Sequence, residues 1–232
     1  MTQSANVKII TLLFDSQSQA LDIMNGVTER TVERLSLYRR LAANLLADKV
    51  SHVFSHDIGR ALGINAAQVR RDMMAIGFTG SPTRGYDVAL LNEAITRALD
   101  APAPEGVALA GVGNLGRAFL AYFTGRHPKL AVSAAFEADP GKVGRVINGC
   151  RCHAVSEIPA VIAQLGIRTA IVAVPAEHAQ SVTDAFVAAG VKGILNFAPV
   201  RLRVPSSVFV EHVDLTMFLE KTGFFARQKG NG

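Results

Sequence analysis

The sequence predicts an α/β protein built from a helical N-terminal domain and a doubly wound parallel sheet. Three observations predict it. Residues 28–100 carry a helical apolar period and paired helix caps. From residue 107 onward, strand-like runs alternate with helical ones. At the junction, "VALAGVGNLGRAFLAYF" (107–123) reads as strand, glycine-rich turn and helix.

The elements follow in order. Residues 1–28 form a leader whose role the sequence does not reveal. Its apolar run "VKIITLLF" is followed by Asp15 and lacks a basic n-region and a small-residue cleavage site, so it is not read as a signal peptide. "TERTVERLSLYRRLAANLLADK" (28–49) places Val32, Leu35, Leu41, Leu45 and Leu46 near a helical period. "SHDIGRALG" (55–63) opens with Ser55 as its N-cap and ends at Gly63. "NAAQVRRDMMAIG" (65–77) opens with Asn65, has Gln68 at capping-box spacing and stops at Gly77. "FTGSPTRGYDV" (78–88) reads as a short hairpin or loop, and "ALLNEAITRALD" (89–100) as an amphipathic helix. "APAPEG" (101–106) is a linker by composition. The domains expected are 29–100 and 107–213, followed by a C-terminal helix and tail at 214–232.

In the second half, strands are expected at Val107–Gly111, Ala131–Glu137, Thr169–Pro175, Gly193–Phe197 and Val208–Val213. Helices are expected at Asn114–Thr124, Ser156–Leu165 and Ala176–Ala189. Alternation of this kind argues for a parallel sheet covered on both faces. The last segment, "DLTMFLEKTGFFARQ" (214–228), carries Leu215, Phe218, Leu219 and Phe225 along one side, suited to packing on a partner.

"GVGNLG" (111–116) matches the dinucleotide fingerprint G-x-G-x-x-G in the strand-to-helix context that gives the motif meaning. Gly111 would allow the tight turn, Gly113 the approach of a pyrophosphate, and Gly116 close packing of helix on strand. Val112, Asn114 and Leu115 complete the loop, and the helix N-terminus would meet the phosphates. Glu137, 21 residues after Gly116, is placed to bond an adenosine ribose hydroxyl and to repel a 2′-phosphate, which favours NAD(H). Lys142 and Arg145 lie nearby and weaken that preference. Asp139 is a second candidate for the ribose, or caps the turn before Pro140.

The helices of 55–77 form a helix-turn-helix. On the second helix Val69, Met73 and Ile76 make a core side, while Ala67, Arg71 and Met74 make the opposite one, flanked by Gln68 and Arg70. Arginines suit guanine edges or phosphates, Gln suits adenine, and small apolar groups suit thymine methyls. The alternative is a solvated face on an ordinary helical domain. "GSPTRGY" after it favours a winged helix, with Arg84 at the wing tip.

The totals narrow the function classes. The net charge is +5, compatible with an anionic partner. The longest apolar runs are too short to cross a membrane. The only cysteines, Cys150 and Cys152, cannot make a disulfide framework and fit a reducing cytosol. "CRCH" (150–153) is half a zinc site without a second half, so no metal is expected and these residues read as a solvent-side strand.

The chain resembles the Rex family of bacterial redox-sensing transcriptional repressors. The likeness runs from about Thr31 to the C-terminal helix. It is carried by "RLSLYRRL" (34–41), "NAAQVRRDMMAIG", "GVGNLGRAFLAYF", "FEADPGKVGR" (136–145), "VAVPAEHAQ" (172–180), "AAGVKGILNFAPVRLRVP" (188–205) and "VEHVDL" (210–215). The resemblance implies a cytoplasmic homodimer, each chain with a winged-helix domain, a Rossmann domain and a C-terminal helix exchanged with its partner. It implies binding of operator DNA at low NADH/NAD⁺ ratio and release by NADH. By position it sets Tyr122 and Asp214 beside the nicotinamide, with Pro175 in the same site, and Arg40 as the switch partner on the DNA-binding side. The wing departs from the family pattern: Ser81 and Pro82 stand where Lys and Arg are usual.

Two other functions fit parts of the chain. An NAD-dependent dehydrogenase would need a proton carrier, for which His178 is the candidate, and a substrate domain that residues 1–100 do not supply. A NAD- or CoA-binding interaction module with weakened DNA binding would fit the altered wing. No catalytic residue is expected under the repressor reading.

Overall fold

A computed structural model describes residues 27–123 and 129–229. The leader up to residue 26 with its apolar run, the predicted helix end at Thr124, and residues 230–232 lie outside the described residues. The chain divides into two compact units between Pro102 and Ala103.

The first unit starts with α1 (Glu29–Ala47), where the Thr28 hydroxyl accepts the Thr31 N–H at 3.3 Å. Its buried face is Thr31, Leu35, Tyr38 and Ala42. This corrects the expected stripe. Leu41 and Leu45 pack only partly, and Val32 and Leu46 are 43% and 38% exposed. Tyr38 displaces them because its ring fills the core and its hydroxyl finds a buried acceptor, Asp72.

After β1 (His52–Val53) come α2 (Ser55–Leu62) and α3 (Ala66–Ala75). Phe54, not Ser55, occupies the cap of α2, without a side-chain bond. Gly63 closes α2 in the left-handed region, at φ 68°, which makes the helix-turn-helix turn. Asn65 caps α3 as expected, accepting the Ala67 N–H at 2.8 Å. Val69 and Met73 are fully buried and Ile76 nearly so.

The segment 81–85 is a tight hairpin tip. Ser81 and Gly85 exchange backbone hydrogen bonds at 2.7 and 2.8 Å. The chain then enters β2 (Tyr86–Asp87), which pairs antiparallel with β1. That small sheet was not expected, because a two-residue strand carries no periodicity. α4 (Val88–Leu99) closes the unit over Leu35, Ile58, Val69 and Met73 through Val88, Leu91 and Ile95.

The second unit holds a seven-stranded sheet. Its strands are β3 (Glu105–Ala110), β4 (Leu130–Glu137), β5 (Val146–Ile147), β6 (Cys150–Ala154), β7 (Thr169–Val172), β8 (Gly193–Asn196) and β9 (Phe209–His212). The order is β5-β6-β4-β3-β7-β8-β9, parallel except for the β5–β6 hairpin. The connections run outward in both directions from the β3–β7 pair, so the topology reverses there. This is the doubly wound arrangement, which leaves a crevice beyond the carboxyl ends of the strands.

The period of two is visible in β3. Val107 and Leu109 pack on one face with Phe119, Leu120 and Phe123 of α5 (Asn114–Phe123). Ala108 and Ala110 pack on the other with α6 (Ile158–Leu165) and α7 (Ala176–Ala188). A short 3-10 turn at Val155–Glu157 replaces the expected start of α6.

Cys150 and Cys152 are strand residues, but they are buried, at 4% and 0% exposure, rather than solvent-side. The hairpin with β5 folds them onto the α5 face of the sheet. Burial pushes the Cys150 thiol up to about 11, with the neighbouring Cys152 adding to the shift. Both are therefore poor nucleophiles and poor metal ligands. Among the described residues no group of three or more His, Cys, Asp or Glu could hold a metal. No described helix is long and apolar enough to cross a membrane.

The last described element is α8 (Leu215–Lys229), which has no buried residue. Leu215, Met217, Phe218, Leu219, Phe224 and Phe225 are between 45% and 73% exposed.

Candidate functional site

The glycine loop joins β3 to α5 at the point of reversal. The Gly111 N–H bonds the Phe136 carbonyl at 2.9 Å, pinning the end of β3 to β4. Gly111 has φ 91°, and a Cβ there would collide with the Ala173 carbonyl after β7. A Cβ on Gly116 would collide with the Gly111 carbonyl. Packing within the protein therefore demands both glycines.

Gly113 differs. It is exposed, and a Cβ there would meet no heavy atom within 4 Å. Among the described residues none requires glycine at that position, and the bare backbone there is open to solvent. Beside it the N–H groups that open α5, those of Asn114, Leu115 and Gly116, precede the first helical bond, which runs from the Arg117 N–H to the Gly113 carbonyl at 3.0 Å. Such a cradle fits a pyrophosphate.

Glu137 stands at the end of β4. Its Oε2 accepts the Val112 N–H at 2.8 Å, and its Oε1 accepts those of Ala138 and Asp139 at 3.0 and 3.3 Å. Lys142 Nζ lies 3.3 Å from Oε2. Burial alone would raise this carboxyl, but the N–H donors and Lys142 outweigh it and hold it below its ordinary value. The charge is thus kept beside the loop, where it disfavours a 2′-phosphate, while Lys142 partly offsets it. Val112 spends its N–H on Glu137 and has none to offer a phosphate. Asp139 caps its turn, accepting the Gly141 N–H at 2.9 Å, and Arg145 is exposed.

Of the other expected residues, Pro175 and Asp214 follow the carboxyl ends of their strands, whereas Tyr122 lies at the far end of α5. Pro175 caps α7 just beyond β7. Asp214 follows β9, and its Oδ1 accepts the Met217 N–H at 2.9 Å, so it also caps α8. Tyr122, in the last turn of α5, is 57% exposed and lies edge-on to Phe123 at 5.2 Å. His178 is exposed in the first turn of α7.

One residue here escaped the sequence reading. Asn196 is 1% exposed; its Nδ2 lies 3.2 and 2.8 Å from the carbonyls of Ala198 and Val200 and 3.0 Å from His212 Nδ1. It folds the "NFAP" turn and ties down β9 two residues before Asp214. A polar residue closing an apolar strand just before a proline turn was the available signal.

In the first unit, α3 presents Arg70, Arg71 and Met74 to solvent, with Ala67 and Gln68 half-buried. Arg70 Nη1 donates to Ser55 Oγ at 3.1 Å. Gln68 is not the capping-box partner expected from spacing, nor a ready adenine reader. Its Nε2 donates to Asp72 at 2.8 Å and its Oε1 accepts from Arg71 at 2.7 Å. Arg84 is exposed in the hairpin tip, where the Ser81 hydroxyl accepts its N–H at 3.3 Å. Arg40 is exposed on α1.

Sequence reading also missed Asp72. It is 2% exposed and bound by Arg34 through Nε and Nη2, at 2.6 and 2.7 Å, and by the Tyr38 hydroxyl at 2.8 Å. Burial alone would raise its pKa; the bonds from Arg34, Gln68 and Tyr38 win and lower it. The folded state therefore holds its proton less tightly than the unfolded chain. The stabilisation is complete above the ordinary value of 3.8 and is lost as pH falls through the lowered folded value. Acid titration followed by circular dichroism should show the helical unit losing stability only below that pH. A mid-pH transition in this unit would contradict it.

Comparisons with known proteins agree across both units. A family model described as "Putative DNA-binding protein N-terminus" matches residues 26–73, and one described as "CoA binding domain" matches residues 103–200. A redox-sensing transcriptional repressor Rex from Anoxybacillus flavithermus is 38% identical over 88% of this chain and 96% of its own length. A Rex repressor from Streptococcus pyogenes is 39% identical over 89% and 97%. Among solved structures, RSP, a Rex-family repressor, superposes in its complex with NAD⁺ and operator DNA with TM-score 0.82, at 28% identity, covering 88% of this chain and 94% of that one. Its NADH complex gives 0.78, with 28% identity over 88% and 96%. An exposed arginine-bearing helix, a glycine loop open at Gly113, and relatives matched along nearly their whole length lead to one assignment: the chain belongs to the Rex family of redox-sensing transcriptional repressors.

Proposed function

We propose that this chain is a repressor that holds operator DNA when the NADH/NAD⁺ ratio is low and lets go as NADH accumulates. The observation that carries the reading is the likeness, along both units at once, to a repressor solved with NAD⁺ and operator DNA. The dehydrogenase alternative gives way, since the full-length relatives are repressors.

Gly113 and the α5 N-terminus hold the pyrophosphate, with Gly111, Val112 and Gly116 shaping the loop, while Glu137, with Asp139 beside it, faces the adenosine ribose. Tyr122, Pro175 and Asp214 line the nicotinamide end. NADH and NAD⁺ differ there by one positive charge and by ring planarity. Asp214 answers that difference by pairing with Arg40 in one state and turning to Tyr122 in the other. Two chains form the working unit, with α8 exchanged between them; its uncovered Leu215, Phe218, Leu219 and Phe225 support that pairing. Arg70, Arg71 and Met74 of α3 meet the major groove, and Arg84 at the wing tip lies along the minor groove.

The test is operator binding by fluorescence anisotropy with NADH and NAD⁺ titrated in turn. NADH should release the DNA and NAD⁺ should not. A protein that binds neither the dinucleotide nor DNA overturns the reading. Arg71→Ala should weaken operator binding by about 5- to 150-fold, the ~1–3 kcal/mol of a bidentate base contact, and leave NADH affinity unchanged. Loss of both would mean that Arg71 is structural.

A further inference from the structure

Asp72 lies between the core face of α3, set by Val69 and Met73, and the exposed face that carries Arg71. Its Oδ2 accepts from Arg34 Nε and the Tyr38 hydroxyl, at 2.6 and 2.8 Å. Its Oδ1 accepts from Arg34 Nη2 and Gln68 Nε2, at 2.7 and 2.8 Å. Arg34 and Tyr38 belong to α1, and Gln68 is one turn back on α3.

An ionised carboxylate has only acceptors. Gln68 must therefore turn its NH₂ toward Asp72 and its amide oxygen away. That oxygen accepts from Arg71 Nη2 at 2.7 Å. A continuous relay thus runs from α1 through Asp72 and Gln68 to the guanidinium of Arg71. Among the described residues Arg71 Nη1 has no acceptor, so it stays available for a second contact.

We infer that Asp72 is a positioning residue for base reading: through Gln68 it orients the Arg71 guanidinium before DNA arrives, and so shapes operator specificity without touching a base. The inference rests on reading α3 as the operator-reading helix. Hydrogen bonds join Gln68 and Arg71 in the free protein, so less side-chain freedom is left to lose on binding. A bidentate contact to guanine needs the guanidinium plane in one orientation. A phosphate contact needs little more than the charge. Loss of the relay should therefore reduce specific binding and spare non-specific binding.

The experiment uses the full chain and an operator that the wild type selects from a randomised duplex library. Gln68→Met cuts the relay at a half-buried site. It should lower operator affinity about tenfold, as expected for freeing two such side chains, with random-duplex affinity nearly unchanged. Repeating the selection should relax preference at the same base pair that Arg71→Ala relaxes. Asp72→Asn should do likewise, and should have no further effect on preference in an Arg71→Ala background. Unchanged preference in Gln68→Met overturns the inference, as does an equal fall on operator and random DNA. If Asp72→Asn does not fold, the Gln68→Met result decides. If Arg71→Ala itself leaves operator binding intact, the underlying assignment of α3 fails instead, and that outcome is separately visible.

Discussion

Asp214→Asn is expected to fold, to bind operator DNA, and to lose most of its response to NADH. The choice of Asn follows from the geometry. Asp214 caps α8 by accepting the Met217 N–H at 2.9 Å, and Asn caps about as well as Asp. The substitution therefore removes the charge and keeps the helix start. Asp214→Ala removes both and should add about 1 kcal/mol of helix destabilisation, so a defect shared by both variants belongs to the charge. If Asp214 is the group that distinguishes the two nicotinamide states, the coupling between dinucleotide and operator disappears with it. That coupling is about 1–3 kcal/mol, or 5–150-fold in operator affinity. Linkage supplies a second measurement: operator DNA should weaken NADH binding to the wild type by the same factor, and should not do so in Asp214→Asn. Release by NADH as in the wild type would remove Asp214 from the switch.

Gly113→Val and Gly116→Ala should fail in different ways. The Gly116 Cβ would run into the Gly111 carbonyl, so even alanine forces the strand and helix apart. That variant should melt at lower temperature whether or not a ligand is present. At Gly113 an added Cβ meets no described heavy atom within 4 Å, so the cost to folding should be about 1 kcal/mol, that of a poorer helix cap, well below that at Gly116. The same atoms occupy the approach of the pyrophosphate. Gly113→Val should therefore melt closer to the wild type than Gly116→Ala does, lose the fluorescence enhancement of bound NADH, and remain on operator DNA at any NADH/NAD⁺ ratio. Normal NADH binding in a folded Gly113→Val protein would mean that the dinucleotide does not cross this loop.

Much of this site was legible because its logic is local. The turn from β3 into α5 needs glycines at fixed spacing, and Glu137 ends the next strand. The helix-turn-helix was legible for the same reason, through Asn65, Gly63 and the Val69, Met73 and Ile76 spacing. The failures share one cause. Tyr38 and Asp72 are 34 residues apart, Arg34 and Asp72 38, and nothing in either stretch announces the other. The cysteines of "CRCH" sit on a strand as expected, yet the face they choose depends on the hairpin with β5 and on what α5 covers.

The amino-acid sequence alone determined that a helical unit precedes a doubly wound sheet, where the glycine-rich loop lies, and which face of α3 is polar. Those features follow from periodicity, capping and glycine spacing, which act over a few residues. Only the tertiary structure decided that Asp72 is buried as an ionised hub, that Gln68 faces inward to it, that Asn196 braces the end of β9, and that Phe54 rather than Ser55 caps α2. Each of these depends on desolvation and hydrogen bonding between groups that the chain brings together only once it has folded.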